Sequence, residues 1–217
     1  SGKTTTAIRA AKGLNTEILS ADSRQFYKEM SIGTAAPTPK ELLEVKHYFV
    51  HNISIFDTYN IATYEKEALS LLKHLFINHK FVILTGGSGL FIDAVCHGID
   101  AMPDIDPSIR KRVDTMFRNG GLGAMQEELE RLDPEYWTVV DQKNPRRLQR
   151  ALEVIYQSGT TYTSFRKASR TQRDFNIKKY ALLWDRQALN NRINQRVEQM
   201  LTQGLVDEAR SLYPHRH

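Results

Sequence analysis

Ser1-Gly2-Lys3-Thr4 matches the second half of the pattern G-x-x-x-x-G-K-[ST], and the reading of the whole chain turns on it. In a loop of this kind, backbone N–H groups and the positive end of the following helix surround a phosphate. The lysine adds a point charge to the terminal phosphates, and the hydroxyl ligates a magnesium ion. Ser1, Gly2, Lys3 and Thr4 are therefore candidates for a phosphate site, with Thr4 the candidate metal ligand. Four residues also meet such a pattern by chance, so the weight falls on the rest of the chain.

An alanine-rich helix is expected over 4–12, with Gly13 as its stop, then a short strand over 16–20 that runs into Ala21-Asp22-Ser23. A polar cluster at the C-terminal end of a strand is where open α/β sheets place ligands. One or two irregular turns over 24–30 and a loop over 31–40 come next, then a short edge strand over 47–50. The first long helix spans 62–79, with Tyr64, Ala68, Leu71, Leu72, Leu75 and Phe76 on one stripe. Phe81-Val82-Ile83-Leu84 reads as a strand buried on both faces, turning through Thr85-Gly86-Gly87-Ser88-Gly89 into a helix over 90–96. Strand and helix alternate, which predicts a parallel α/β sheet with flanking helices, of the P-loop NTPase-like kind.

Composition shifts at Met102-Pro103. Helices are expected over 107–119, 123–132, 134–140 and 145–158 with no strand between them, an all-helical insertion. The sheet is expected to resume over 177–184. A last long helix over 186–203 carries Leu189, Ile193, Val197 and Leu201 on one buried face, with Arg192 and Arg196 on another. The expected division is an α/β core of residues 1–101 and 172–217 around a helical domain of residues 102–171.

In a chain of 217 residues, a hydrophobic share of 41%, a charged share of 25% and a net charge of +5 fit a globular protein that leans toward nucleic acid or polyphosphate. Cys96 is the only cysteine, so no internal disulfide forms, and it reads as packing. No apolar run approaches the about 18 residues that span a bilayer. The seven histidines show no metal-ligand spacing and read as surface or edge residues. Trp137 and Trp184 read as core.

Three segments then carry a resemblance: ADSRQFYKEMSIGTAAPT (21–38), LTGGSGLFIDAVCHG (84–98) and NPRRLQRALEVIYQSG (144–159). They are similar to the tRNA dimethylallyltransferases, also called tRNA isopentenyltransferases, of bacterial type. The family pattern D-S-x-x-x-Y-x-x-M-x-I-G-T-A-x-P is met by Asp22, Ser23, Tyr27, Met30, Ile32, Gly33, Thr34, Ala35 and Pro37. The resemblance implies transfer of the dimethylallyl group of dimethylallyl diphosphate to N6 of the adenosine just 3′ of the anticodon in tRNA. It further implies that Ser1, Gly2, Lys3 and Thr4 hold the diphosphate with Mg²⁺ on Thr4, and that Arg192 and Arg196 close over it; a solvated face is the other reading for these two. Asp22 matches the general base, although a magnesium ligand or a helix cap stays open for it. Ser88, where the family commonly has threonine, reaches the leaving oxygen or the base, or serves as a helix N-cap. The extruded base and its tRNA fall to Asp22, Ser23, Arg24, Gln25 and Ser88, to Arg110, and to Arg146, Arg147, Leu148, Gln149 and Arg150. Arg146 replaces the glutamine of the family's Q-R-L-x-R, which removes its amide contacts. Lys3, Thr4, Asp22 and Ser88 are the catalytic candidates. The implied partners are the tRNA anticodon stem-loop and dimethylallyl diphosphate, for a cytoplasmic monomer.

By the same resemblance the first strand and the first half of the loop are expected before Ser1, and further chain after Pro214. The 217 residues alone are expected to be a poor enzyme. An ATP-dependent small-molecule kinase shares the loop and the sheet but leaves 22–37 unexplained. A non-catalytic RNA-binding module leaves Lys3, Thr4 and Asp22 without a purpose.

Overall fold

A computed structural model describes residues 2–167 and 170–215; the Ser1 expectation falls outside them. The chain divides into two compact units, one of the residues up to Gly98 together with those from Thr171 onward, the other of Ile99–Arg170.

In the first unit, helix α1 (Lys3–Leu14) leads to strand β1 (Ile18–Ser20), helix α2 (Pro39–Glu44), strand β2 (His47–Tyr48), helix α3 (Ile61–Asn78), strand β3 (Ile83–Thr85) and helix α4 (Gly89–His97). The sheet has the order β2-β1-β3, and both pairings are parallel, with Ile18 opposite His47 and Ile83 and Leu19 opposite Tyr48 and Leu84. Side chains alternate along β1. Ile18 packs with Ala7, Ile8 and Ala11 of α1, whereas Leu19 packs with Tyr64, Ala68 and Leu72 of α3 and Val95 of α4. Helices therefore cover both faces of the central strand, as expected of a doubly covered α/β sheet. The Tyr64 hydroxyl donates to the Ser20 carbonyl at 2.9 Å, and burial pushes that phenol's pKa up. Phe26 stacks on the same ring, so the strand's C-terminal end is pinned in apolar surroundings. Cys96 is buried, and burial raises its thiol pKa.

Four expectations are corrected by this unit. Phe81 is 43% exposed and β3 is only half-buried, with β1 its one strand partner among the described residues. An apolar run reports hydrophobicity but not which side a neighbour occupies. Residues 177–184 are exposed and form no strand, so among the described residues the sheet does not resume there. Helix α1 runs through Gly13 and stops at Asn15, which takes the left-handed conformation. The loop over 31–40 ends earlier than expected: Thr38 and Glu41 form a capping box, each side chain accepting the other's backbone N–H, and α2 begins there.

The second unit is all helical: α5 (Pro107–Leu132), α6 (Pro134–Trp137), α7 (Pro145–Ser158) and α8 (Tyr162–Phe165). The two helices expected over 107–119 and 123–132 join as α5, which kinks at Gly121 with φ 62°. Asn144 caps α7 by accepting the Arg147 N–H, and Val113, Met125, Leu129, Leu148, Leu152 and Ile155 form the core. Asp133 is buried and holds α8 by accepting from the Thr163 N–H and hydroxyl.

The chain then returns to the first unit with α9 (Arg186–Thr202) and α10 (Leu205–Leu212). The predicted buried face of α9 is not buried: Ile193, Val197 and Leu201 are exposed. The spacing does put them on one stripe, but no described element packs against it.

Candidate active site

The parallel strands β1 and β3 end at the same level, and a cleft opens beyond them. Lys3 and Thr4 enter it from the start of α1, Ser20 and Asp22 from the end of β1, and Thr85 and Gly86 from the end of β3. Gln25, Pro37 and His47 complete its wall. Gly2 takes the left-handed conformation before α1, no side chain caps that end, and no acidic residue sits in its first turn. The helix N-terminus, with no capping side chain and a lysine in its first turn, favours an anion.

Backbone contact sets the shape of the cleft. A Cβ on Gly86 would stand 2.1 Å from the Ala21 carbonyl oxygen, and one on Gly87 would stand 2.9 Å from Asp22 Oδ2. The Ala21 N–H donates to the Thr85 carbonyl at 2.7 Å, and the Ala21 carbonyl accepts from the Ser88 N–H at 3.2 Å. Asp22 Oδ1 accepts from the Arg24 N–H at 3.2 Å, which turns the other oxygen toward Gly87.

Ser88 occupies the N-cap position of α4, yet its side chain does not cap the helix. Its hydroxyl accepts from the Ser23 N–H at 2.9 Å and donates to the Ser23 hydroxyl at 3.0 Å, so it joins the two turns. Gln25 also faces inward. Its amide donates to the Thr34 and Ala35 carbonyls and its oxygen accepts from Ser20, so it braces the 31–36 loop. Arg24 is exposed.

Arg192 reaches this region from α9. Its guanidinium carbon lies 4.5 Å above the Trp184 ring, and a Cβ on Gly2 would meet the Arg192 Nη2 at 3.4 Å and the Trp184 ring at 3.5 Å. Trp184 is 43% exposed, so the core reading is corrected: its face carries an arginine. Arg196 is exposed on the same helix. His47 lies in β2, in keeping with the edge reading; its Nδ1 meets the Val45 carbonyl and its Nε2 is shielded from water. No group of three or more His, Cys, Asp or Glu able to hold a metal occurs among the described residues.

In the helical unit, Arg110, Arg146 and Arg147 are exposed. Arg150 is half-buried and pairs with Glu153 at 3.6 Å. Leu148 and Gln149 depart from the contact expected of them. Leu148 is fully buried in the core, and Gln149 is 8% exposed with its amide donating to Asp114. A helix that presents Arg146 and Arg147 to solvent turns the next two residues inward.

The motif reading passed over three residues. Trp184 had only an aromatic identity to offer, Glu208 resembled an ordinary acidic residue in a helix's first turn, and Arg173 sat in a featureless polar stretch. Arg173 nonetheless pairs with Glu65 and donates to the Ala94 and Val95 carbonyls, which ties α3 and α4 to the returning chain.

Residues 25–217 match the family model described as IPP transferase. The chain belongs to the IPP transferase family. Its relatives include the tRNA dimethylallyltransferase 1 of Bacteroides fragilis, 48% identical over 99% of this chain and 71% of that protein. The tRNA dimethylallyltransferase of Christiangramia forsetii is 44% identical over 99% of this chain and 71% of its own length. Among solved structures, the tRNA isopentenylpyrophosphate transferase of Bacillus halodurans superposes with a TM-score of 0.63 at 31% identity, covering 99% of this chain and 67% of that one. The parallel α/β sheet with its helical insertion is thus the architecture of an IPP transferase. No helix among the described residues is long and apolar enough to cross a membrane.

Proposed function

We propose that the chain transfers a dimethylallyl group from dimethylallyl diphosphate to N6 of the adenosine 3′-adjacent to the anticodon of tRNA, releasing diphosphate. The observation that carries this reading is one cleft in which an anion-seeking helix terminus and Lys3 face a single carboxylate, Asp22. The names of the relatives support the same activity.

In the reaction, the bond between the allylic carbon and the diphosphate oxygen breaks as the N6–carbon bond forms. Negative charge grows on the leaving diphosphate. Lys3 and the first amides of α1 border the cleft and Arg192 approaches Gly2, which supports a role for them in stabilising that charge. The attacking amine is a poor nucleophile because its lone pair is delocalised into the purine. Asp22 takes the proton it sheds, a step typically worth about 10²–10⁴-fold. Gly87 leaves the Asp22 carboxylate open on the side where a methyl would press on it. The Thr4 hydroxyl lines the same cleft, a hard oxygen donor of the type Mg²⁺ accepts alongside substrate phosphates. Bound there, Mg²⁺ would supply charge neutralisation of the diphosphate.

A flipped-out base suits recognition by polar groups around Asp22 and Ser23, and the exposed Arg110, Arg146 and Arg147 suit the RNA backbone. The test is incubation of the whole protein with Mg²⁺, labelled dimethylallyl diphosphate and an anticodon stem-loop. Label in the RNA is expected. Transfer that needs ATP and proceeds on a small molecule without RNA would sink this reading in favour of a kinase.

A further inference from the structure

Glu208 lies 175 residues beyond Gly33, yet its carboxylate closes on the loop that Gly33 belongs to. Oε2 accepts from the Ile32 N–H at 2.7 Å and from the Ser31 hydroxyl at 3.4 Å, and Oε1 accepts from the Gly33 N–H at 2.8 Å. Hydrogen bonds to a charged acceptor are shorter and roughly twice as strong as neutral ones. The fit around them is close. A Cβ on Gly33 would meet Glu208 Oε1 and Leu205 Cδ1 at 3.2 Å each, and one on Gly204 would come within 4.0 Å of Ile32 Cδ1. The first turn of α10 is therefore seated on Ser31–Gly33.

Two connections run on from this seat. Toward the cleft, the Thr34 and Ala35 carbonyls hold Gln25, three residues after Asp22. Toward the other end of the arm, the left-handed turn at Gly204 joins α10 to α9, which carries Arg192 to Gly2. Glu208 is the carboxylate that fastens the α9–α10 arm to the cleft's own loop.

We propose that Glu208 is a positioning residue: its clasp on the Ile32 and Gly33 amides sets the arm so that the Arg192 guanidinium stands at the phosphate loop. The inference rests on the reading of Gly2, Lys3 and Thr4 as a diphosphate site.

The test uses the full chain and inorganic pyrophosphate. Glu208→Ala is expected to raise the pyrophosphate dissociation constant about tenfold, the size expected from losing hydrogen bonds to a charged group. It is also expected to speed hydrogen exchange at the Ile32 and Gly33 amides. Glu208→Gln keeps the volume and one accepting oxygen and is expected to fall between, which preserves the test if the alanine variant folds poorly. Because Glu208 acts through Arg192, the double variant Glu208→Ala/Arg192→Ala is expected to bind pyrophosphate as Arg192→Ala does. Additive losses, or unchanged binding in Glu208→Ala, would overturn the clasp while leaving the diphosphate site standing. A wild-type chain that takes no pyrophosphate would overturn that reading and this proposal together.

Discussion

At residue 86 a single methyl group would stand 2.1 Å from the Ala21 carbonyl oxygen, far inside contact distance, and the atom it meets is backbone. The Ala21 carbonyl cannot swing away, because it accepts the Ser88 N–H and its residue's own N–H is tied to Thr85. Gly86→Ala is therefore expected to cost about 2–3 kcal/mol, read as a lower thermal midpoint, with transfer activity lost in step as Asp22 is displaced. Asp22 itself answers a different question. Asp22→Ala removes the proposed proton acceptor but leaves Lys3 and the α1 amides, so pyrophosphate binding is expected to stay within a few-fold while transfer falls about 10²–10⁴-fold. Single-turnover transfer and a pyrophosphate titration read the two halves separately. Undiminished turnover would remove Asp22 from the base role.

Between elements, the joints hold most of what motif reading left out. The Arg173 side chain is 10% exposed and its partner Glu65 17% exposed, so the pair is nearly dry. Removing one partner strands a buried charge and releases two α4 carbonyls. Arg173→Ala is expected to cost about 3–5 kcal/mol in thermal or urea unfolding. In the helical unit, Tyr156 donates to Glu128 at 2.7 Å across α5 and α7. Burial and then that carboxylate push the phenol's pKa up to about 12. A group whose folded pKa is raised contributes stability that is whole below its unfolded value near 10 and is lost as pH climbs through about 12. Tyr156→Phe is expected to flatten the alkaline limb of the stability profile, measured by unfolding at stepped pH.

The same joints explain what was legible in the sequence. The α1 helix, the β1 strand and the run from Asp22 to Pro37 could be read because local geometry dictates their residues: glycine where backbone meets backbone, apolar residues where a strand is covered on both faces. The partial exposure of β3 could not, since Phe81-Val82-Ile83-Leu84 says that the segment is apolar and nothing about its neighbours. The α9 stripe likewise gave the spacing of Ile193, Val197 and Leu201 without a partner to bury them. Leu148 and Gln149 sat inside a recognised motif and still turned inward, because helix phase and not motif membership sets which side faces solvent. Glu208 was invisible: the amides that donate to it lie near the opposite end of the chain.

For the molecule as a whole, the net charge of +5 sets how it meets a polyanion. Arginines that contact phosphates release counterions, and each contributes about 0.7 to the slope of log affinity against log salt for single-stranded RNA. Replacing Arg146 and Arg147 with alanine is expected to lower that slope by about 1.4 with a stem-loop ligand, because both are exposed and neither belongs to the core. A titration at several salt concentrations measures it, and an unchanged slope would remove α7 from the RNA path.

The arginine at Gly2 has one further consequence, which concerns time. The cleft draws on Lys3 and Thr4, on Asp22, on Gly86 and, from α9, on Arg192. Synthesis delivers these parts in order, and the clasp at Glu208 comes after all of them. A nascent chain on the ribosome thus displays a phosphate-attracting loop long before it owns the arm that stands beside it. An anion met then finds no Arg192, and that contact arrives with α9 and its clasp at Glu208. Ligand binding therefore favours a chain in which α9 is already seated, and it stabilises that fold with the logarithm of ligand concentration.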